Sequence, residues 1–279
     1  MSPPLIRIGT GGYSDTALLG TLYPHGTPPS DFLRLYACHY DAVEINSTFH
    51  APIGGRALQG MAEKAAGKLR FSVKLHQDFS HKRRAGAVQA RHFLNALRPL
   101  GDALANVCVQ FPESFERNPA NRRYLAELVS WFAEIPLAME FRHHSWHIPQ
   151  VFEFFAAQPQ LLWCNVDYPP RIGLPESVFR PLHRTAYMRL HGRNPHWRAA
   201  HSAAERHDYR YQDHELKQLA DTLHRHRDDF DELYLYFQNT TRSHSFYNIP
   251  VLKAYLASAG FAVKTATDGY AGAQAQLFD

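Results

Sequence analysis

The chain has 279 residues, 45% of them hydrophobic, and its formal net charge at pH 7 is +4. This composition is typical of a globular protein with a large core, and the charge is too small to indicate a nucleic-acid-binding protein by itself. The three cysteines, Cys38, Cys108 and Cys164, are too few for a disulfide framework and lack the spacing of a structural zinc site. No apolar run approaches the roughly 20 residues of a membrane-spanning helix and no signal-peptide pattern is present, so we expect a cytoplasmic protein without a membrane partner.

Eight short runs of apolar, β-branched or aromatic residues predict strands. In chain order they are residues 6–9 (IRIG), 42–45 (AVEI), 70–75 (RFSVKL), 106–111 (NVCVQF), 137–141 (LAMEF), 161–166 (LLWCNV), 186–191 (AYMRLH) and 233–237 (LYLYF). Between them, apolar residues three and four positions apart predict helices at 31–40, 57–67, 87–101, 121–135, 151–158 and 213–226. Strands that alternate with helices indicate a parallel sheet with helical crossovers.

Eight such units are the number that closes a (β/α)8 barrel, and a chain of about 280 residues has the length of one. An open doubly wound sheet is the alternative, but residues 9–14 (GTGGYS) lack the glycine spacing of a dinucleotide-binding loop. We therefore predict an α/β fold, a single (β/α)8 TIM-type barrel, in one domain over residues 1–279. The longest stretch between predicted strands is 192–232, and its first part predicts a long loop of the kind that often acts as a lid.

Polar side chains close almost every predicted strand. Side chains two residues apart on a strand share a face. The sets that do so are Glu44 and Asn46, Lys74 and His76, Glu140 and Arg142, Asn165 and Asp167, and Arg189, His191 and Arg193. Catalytic groups of a barrel lie at the C-terminal ends of its strands, and a buried charge is costly unless it is paired or belongs to a working site. The strand ends therefore predict one polar site at the mouth of the barrel.

Six segments resemble the YecE-like family, domain of unknown function 72 (DUF72). They are residues 43–50 (VEINSTFH), 71–81 (FSVKLHQDFSH), 109–115 (VQFPESF), 139–146 (MEFRHHSW), 187–193 (YMRLHGR) and 234–240 (YLYFQNT). The resemblance is collinear over almost the whole chain and implies a TIM-barrel-like fold, but it brings no established activity. The chain departs from the family pattern where Tyr13 follows Gly12, since the family usually has a tryptophan there.

The candidate site holds more cations than anions. Lys74, Arg142 and Arg189 stand against Glu44 and Glu140, and arginine forks and lysine ammonium groups suit phosphate or carboxylate. We therefore predict an anionic partner, either a phosphorylated small molecule or a nucleic-acid phosphate, bound by the three cations without a cofactor.

Acid–base chemistry is the reaction type that these residues favour. The candidates are Glu44 or Glu140 as the base and His191 as an acid or oxyanion donor. The resemblance adds further substrate-binding candidates, which are Asn46, His81, Gln110, His143 and Asn239.

A divalent-metal-dependent isomerase or phosphoesterase is the first alternative. Glu44, Glu140, Asp167 and His191 are the types of ligand that such barrels gather from several strand ends. The chain has no HExxH or comparable local ligand motif, so metal is kept only as an alternative cofactor.

A non-catalytic protein that binds single-stranded nucleic acid is the second alternative. It rests on aromatic and basic residues in the long loop, which we expect to be exposed and able to stack on bases and to neutralise phosphates. They are Trp197, Tyr209, Tyr211, Arg193, Arg198, Arg206 and Arg210.

Overall fold

Eight parallel strands form a barrel at the centre of the chain, which a computed structural model describes over residues 2–264. In chain order they are β1 (Leu5–Thr10), β2 (Ala42–Ile45), β3 (Arg70–Lys74), β4 (Leu104–Phe111), β5 (Leu137–Phe141), β6 (Leu161–Asp167), β7 (Thr185–Leu190) and β8 (Glu232–Phe237). Neighbours follow chain order from β2 to β8, and β8 pairs with β1. The eight predicted strands and the (β/α)8 TIM-type barrel are confirmed. Residues 1 and 265–279 of the predicted single domain lie outside the described residues.

Helices cover the outside of the barrel. They are α1 (Phe32–His39), α2 (Gly55–Ala65), α3 (Gln77–Ser80), α4 (Ala87–Leu97), α5 (Pro119–Trp131), α6 (Pro149–Ala156), α7 (Ala203–Arg206), α8 (Asp213–Arg225) and α9 (His244–Ser258). The six predicted helices correspond to α1, α2, α4, α5, α6 and α8. None of the helices in residues 2–264 has both the length and the apolar character that a membrane span needs.

The structure differs from the predicted alternation of strands and helices at one crossover and after β8. Residues 168–184, between β6 and β7, form no helix. Helix α9 was not predicted, because Pro250 lies inside it and proline ordinarily ends a helix. A short ninth strand, β9 (Ala262–Val263), follows α9 and pairs with the start of β1.

Side chains close the barrel between β1 and β2. These strands lie next to each other, but among the described residues no strand ladder pairs them. Instead, Asp41 Oδ1 accepts from the Ile8 N–H at 3.0 Å, and the Tyr36 hydroxyl accepts from the Thr10 N–H at 2.9 Å. Gly9 is required here, because a Cβ at this position would lie 2.1 Å from the carbonyl oxygen of the second strand's first residue.

The strands bury one layer of side chains under the helices and a second layer inside the barrel. The helix-facing layer contains residues such as Ile8, Val43, Phe71, Val109 and Met139. The inner layer contains Ala42, Cys108, Ala138, Cys164, Tyr187 and Tyr236. Because side chains alternate along a strand, the residue two positions further along also faces inward. Glu44, Glu140 and Arg189 therefore meet inside the C-terminal end of the barrel.

Candidate functional site

A buried arginine joins two carboxylates across the barrel. Arg189 on β7 donates through Nη2 to Glu44 Oε1 on β2, with 2.8 Å between the two atoms, and through Nη1 to Glu140 Oε2 on β5. The side chain of Arg189 is 2% exposed, and both glutamates are 0% exposed. Buried charges are costly unless they are paired, and here each carboxylate contacts the guanidinium. The three side chains therefore form one ion-paired unit that ties three strands together, and Arg142 on Glu140 supplies the second positive charge.

Glu44 accepts further hydrogen bonds from neighbouring strands. The Tyr187 hydroxyl donates to Oε2, and Gln238 Nε2 donates to Oε1 at 3.0 Å. Asn46 in turn donates to Gln238 Oε1 at 3.2 Å. Burial raises the pKa of Glu44, but Arg189 and the Tyr187 hydrogen bond outweigh burial and hold this pKa below its ordinary value. Glu44 is therefore charged at neutral pH.

Glu140 has a still denser set of partners. Arg142 Nε donates to Oε1 at 2.8 Å, and the Tyr168 hydroxyl donates to the same oxygen. Burial opposes the charged form, but Arg189, Arg142 and His191 hold the pKa of Glu140 well below its ordinary value. The carboxylate is thus fixed in place and charged.

A cavity of about 440 Å³ opens at the mouth of the barrel, above this network. The loops that follow β1, β2, β7 and β8 and the ends of several strands form its walls. Residues that line it include Asn46, Phe49, Lys74, Arg142, Arg189, His191, His207, Gln238 and Arg242. A larger cavity of about 560 Å³ lies on the outer surface against α5 and α6, and no member of the carboxylate network lines it. We take the mouth as the candidate site because catalytic groups of such barrels lie at the C-terminal strand ends.

The lining of the mouth cavity holds more cations than carboxylates. Lys74, Arg142, Arg189 and Arg242 line the cavity together with Asp15, and Glu44 and Glu140 lie beneath it with no exposed surface. Four cations against three carboxylates leave one positive charge when Lys74 is protonated. The site therefore favours an anionic ligand electrostatically.

Two residues of the cavity wall each have a buried polar atom without a partner. Arg189 Nε and Asn46 Oδ1 find no hydrogen-bond partner among residues 2–264. Both residues line the cavity. A buried donor or acceptor without a partner is destabilising, so a complementary group that reached either atom would bind favourably.

Two histidines connect Glu140 to the cavity wall. His191 Nε2 lies 3.4 Å from Glu140 Oε2, and His191 Nδ1 lies 3.4 Å from His207 Nε2. Burial lowers the pKa of His191 to about 4, although Glu140 acts in the opposite direction. Burial, together with His191 and Arg142, also holds the pKa of His207 well below its ordinary value. Both rings are therefore neutral at pH 7, and each can exchange a proton with its neighbour according to tautomer.

Most of the predicted site residues meet at the mouth. Those that line the cavity or lie directly under it are Glu44, Asn46, Lys74, Glu140, Arg142, Arg189 and His191. The ring of His81 contacts the cavity residue Phe49, with 4.8 Å between ring centroids. Burial, followed by Lys74, lowers the pKa of His81 to about 4.

Besides His81, three predicted substrate-binding residues do not line the mouth cavity. Gln110 is buried at the end of β4. His143 Nδ1 accepts from the Ser145 N–H at 3.2 Å and so caps a short 3-10 helix. Asn239 donates to the Tyr209 carbonyl at 2.8 Å and anchors the long loop. The observed contacts of His143 and Asn239 are structural.

The prediction of which β6 side chains point into the barrel is wrong, because the alternation is shifted by one residue. Leu162, Cys164 and Val166 belong to the inner layer, so Asn165 and Asp167 face outward. Asp167 binds Arg193, with 2.8 Å between its Oδ1 and Nη2, and accepts from a tyrosine of the long loop. Neither Asp167 nor Arg193 lines the mouth cavity.

The aromatic residues expected to bind nucleic acid are not exposed. Trp197 and Tyr211 are each 4% exposed, and Tyr209 is half-buried with its hydroxyl bonded to a carboxylate of α8. Arg193 and Arg198 are paired with carboxylates as well. The predicted stacking surface is therefore wrong. The loop does form part of the cavity wall through α7 and His207, whereas its movement as a lid remains a prediction.

Three residues of the site were not predicted. Tyr187 stands two residues before Arg189 on β7, so strand alternation gave a usable signal for it. Tyr168 directly follows β6, where the inward register was misassigned. His207 comes from the long loop, whose sequence has no periodicity that would place it next to His191.

The four side chains proposed as metal ligands do not form one metal-binding set, although Arg189 joins Glu44 to Glu140 and His191 contacts Glu140. The oxygens of Glu44 and Glu140 contact cations and hydroxyls, and Asp167 faces away from both. Within residues 2–264, no group of three or more His, Cys, Asp and Glu side chains is placed to hold a metal ion. This donor geometry does not favour the metal-dependent alternative.

Comparisons with known proteins agree with this architecture. A protein of Bacillus subtilis (strain 168), "UPF0759 protein YunF", is 26% identical over 263 residues, which cover 85% of this chain and 89% of that protein. The crystal structure of a DUF72 family protein from Thermotoga maritima has a TM-score of 0.82 at 30% identity, covering 91% of this chain and 99% of that one. A DUF72 family protein from Enterococcus faecalis has a TM-score of 0.79 at 21% identity over 91% of this chain and 96% of that one, a likeness of fold alone. The family described as "Protein of unknown function DUF72" matches residues 7–270, and the chain belongs to this family.

Proposed function

We propose that the chain is an enzyme that binds a phosphorylated or otherwise anionic substrate at the mouth of the barrel and acts on it by acid–base chemistry. One observation carries the proposal. Lys74, Arg142 and Arg189 line the cavity, while Glu44 and Glu140 are completely covered beneath them. Cations outnumber the one carboxylate of the lining, Asp15, so an anion that enters is attracted by the wall. The cytoplasmic location stays a prediction.

The two glutamates act as positioning groups in this proposal. A general base needs an oxygen that the substrate can reach, but every oxygen of Glu44 and Glu140 already accepts a hydrogen bond. Their charge instead holds Arg189 and Arg142 in one orientation. Fixed guanidinium groups bind phosphate or carboxylate with little loss of side-chain entropy.

Proton transfer is assigned to the two histidines. His207 lines the cavity and contacts His191, which in turn contacts Glu140. A neutral imidazole at pH 7 accepts a proton from a substrate, and a carboxylate one step further away stabilises the resulting cation. In this series of three side chains, His207 is therefore the one that meets the substrate.

Anion binding is the test of the proposal. Isothermal titration calorimetry at low ionic strength would use inorganic phosphate, pyrophosphate and a single-stranded oligonucleotide as probes. We expect pyrophosphate to bind and Arg142→Gln to weaken binding about 10- to 100-fold, because a hydrogen bond to a charged group contributes about 1.5–3 kcal/mol.

The matched control is Arg198→Gln. Arg198 is exposed, pairs with Glu113 and does not line the mouth cavity, so its loss should leave the affinity unchanged. An absence of anion binding by the wild type, or equal losses in both variants, would contradict the proposal. Tighter binding of the oligonucleotide than of pyrophosphate would support recognition of nucleic-acid phosphate instead.

A further inference from the structure

Lys74 differs from the other cations of the mouth cavity because it has no carboxylate partner. Arg142 and Arg189 each form ion pairs with a buried glutamate. Among residues 2–264, no carboxylate oxygen lies within 4.0 Å of Lys74 Nζ, which instead stands over the ring of Phe49, 4.5 Å from its centroid. The amine lines the cavity at the end of β3, and Phe49 lines it beside the amine. Lys74 therefore packs its amine against an aromatic ring in the wall of the cavity where a substrate binds.

The surroundings of Lys74 lower the pKa of its amine, so that about a tenth of the molecules carry it in the neutral form at pH 7. Burial and the nearby Arg189 lower the pKa of this amine to about 8, although Cys108, Glu44 and Glu140 act in the opposite direction. Desolvation next to another cation is a known way to make a lysine nucleophilic at neutral pH. Lys74 is less suited than Arg142 to serve as a permanent positive charge.

We propose that Lys74 is a nucleophile that forms a Schiff base with a carbonyl substrate, and that this substrate also carries a phosphate or carboxylate. The inference rests on the proposed function, because Arg142 and Arg189 would bind the anionic group. The neutral amine attacks the carbonyl carbon and a C–N bond forms, while the nitrogen gives up one proton and the carbonyl oxygen takes one up to give a neutral carbinolamine. The C–O bond then breaks with a second proton, water leaves, and a protonated imine remains. The whole step converts an amine, a carbonyl compound and one proton into an iminium ion and water.

Neutral histidines lie around the same cavity as this amine. The ring of His81 contacts Phe49, with 4.8 Å between the ring centroids, and burial followed by Lys74 lowers the pKa of His81 to about 4. His191 and His207 line the cavity, and Lys74 also contributes to the lowered pKa of His207. These rings can accept the ammonium proton and return it to the departing oxygen. The carboxylates below the cavity stabilise the positive charge of the iminium ion.

Reductive trapping tests the inference. The full chain would be incubated with pyruvate, dihydroxyacetone phosphate or acetone, each with and without sodium cyanoborohydride, which reduces an iminium ion to a stable secondary amine. Intact-mass spectrometry and peptide mapping would locate the adduct. We expect one adduct per chain, on Lys74, from an anionic carbonyl compound, and at least a tenfold lower yield from neutral acetone.

Lys74→Met and Lys74→Arg should both lose this adduct. The arginine variant keeps the positive charge but has no nucleophilic amine, so it separates charge from covalent chemistry. Lys217→Met is the matched control, because Lys217 is an exposed lysine on α8 paired with Asp221, and this variant should be labelled like the wild type. Circular dichroism and Tm would confirm folding, and Lys74→Met should fold because it leaves no carboxylate without its partner.

The outcomes separate this inference from the proposed function. Pyrophosphate binding together with labelling spread over exposed lysines, unchanged in Lys74→Met, would overturn the Schiff base and leave the anion site intact. Failure of the wild type to bind pyrophosphate would contradict the anion site itself. An adduct on Lys74 that forms equally well from acetone would overturn the requirement for an anionic group in the substrate.

Discussion

At the scale of single residues, Arg189 determines the charge balance of the barrel interior. Its guanidinium contacts Glu44 and Glu140, and none of the three side chains is more than 2% exposed. Glu140 has Arg142 as a second cation, whereas the ion pair of Glu44 is with Arg189. Loss of the guanidinium therefore affects Glu44 more than Glu140. Arg189, which the sequence suggests as one of three cations that bind an anion, thus also holds the two carboxylates of the site in place.

We expect Arg189→Met to lower the free energy of unfolding by about 3–5 kcal/mol, because it leaves a buried carboxylate without its cation. Urea unfolding at pH 7, followed by tryptophan fluorescence, would measure this. The double variant Arg189→Met/Glu44→Gln removes both charges and should recover at least about 2 kcal/mol, since Glu140 still has Arg142. A single variant within about 1 kcal/mol of the wild type would show that the bridge does not stabilise the fold.

At the scale of elements, the sequence predicts strands better than it predicts which way they face. The residues of β5 place Ala138 and Glu140 on one face, and the structure agrees. All seven residues of β6 are buried, so its sequence shows no alternation between apolar and polar positions that would identify the inward face. That is why Asp167 was assigned to the site and Tyr168 was missed. The site residues contributed by loops, such as His207, depend on tertiary packing that local sequence does not encode.

The contact between β1 and β2 gives a prediction at this scale. Gly9→Ala would place a Cβ 2.1 Å from the carbonyl oxygen of Ala42 and 2.6 Å from its carbon, so the two strands would have to separate. We expect a loss of at least roughly 2 kcal/mol in the free energy of unfolding, since backbone cannot move aside as a flexible side chain can. Urea unfolding of both forms measures the loss.

Gly60→Ala is the matched control. Gly60 lies inside α2, where an added Cβ meets no atom within 4 Å, so alanine should stabilise by about 0.5–1 kcal/mol through helix propensity. Gly9→Ala with an unchanged or higher stability would mean that β1 and β2 are packed less closely than the structure indicates.

At the scale of the whole molecule, one network of hydrogen bonds runs across the barrel interior. Ser72 on β3 bonds to Asn106 on β4 at 2.7 Å and to Tyr187 on β7 at 2.9 Å. Tyr187 donates to Glu44, and Arg189 joins Glu44 to Glu140 on β5. A polar network of this kind is stabilising only when its members are satisfied and keep their charge states. Stability should therefore depend on pH through the buried groups near this network.

The predicted pH dependence follows from the sign of each pKa shift. The unfolded chain binds a proton at His191 near pH 6.5, whereas the folded chain binds it only near pH 4, so stability should fall as pH decreases from 6.5 to 4. Lys74 has a pKa of about 8 in the folded chain against 10.5 unfolded. The same holds for Lys253, which lies on α9 away from the network and donates to the His39 carbonyl at 2.9 Å, so stability should rise between pH 8 and 10.5. Buried tyrosines such as Tyr168 and Tyr187, whose pKa is raised well above 10, remove stability above pH 10. We therefore expect the maximum between about pH 8 and 10, on the alkaline side of the usual range.

Urea unfolding at about pH 5, 7, 9 and 11 would measure this curve. Two variants assign its slopes to residues. His191→Gln should reduce the loss of stability between pH 6.5 and 4. A pKa lowered from 6.5 to about 4, in a side chain that is 1% exposed, corresponds to roughly 3 kcal/mol of unfolding free energy. Lys74→Met should reduce the rise between pH 8 and 10.5 and leave the acid slope in place. A stability maximum at or below pH 7 in the wild type would mean that Lys74 and Lys253 are well solvated. The pKa of Lys74 would then not be lowered by burial, and this would no longer support Lys74 as a nucleophile.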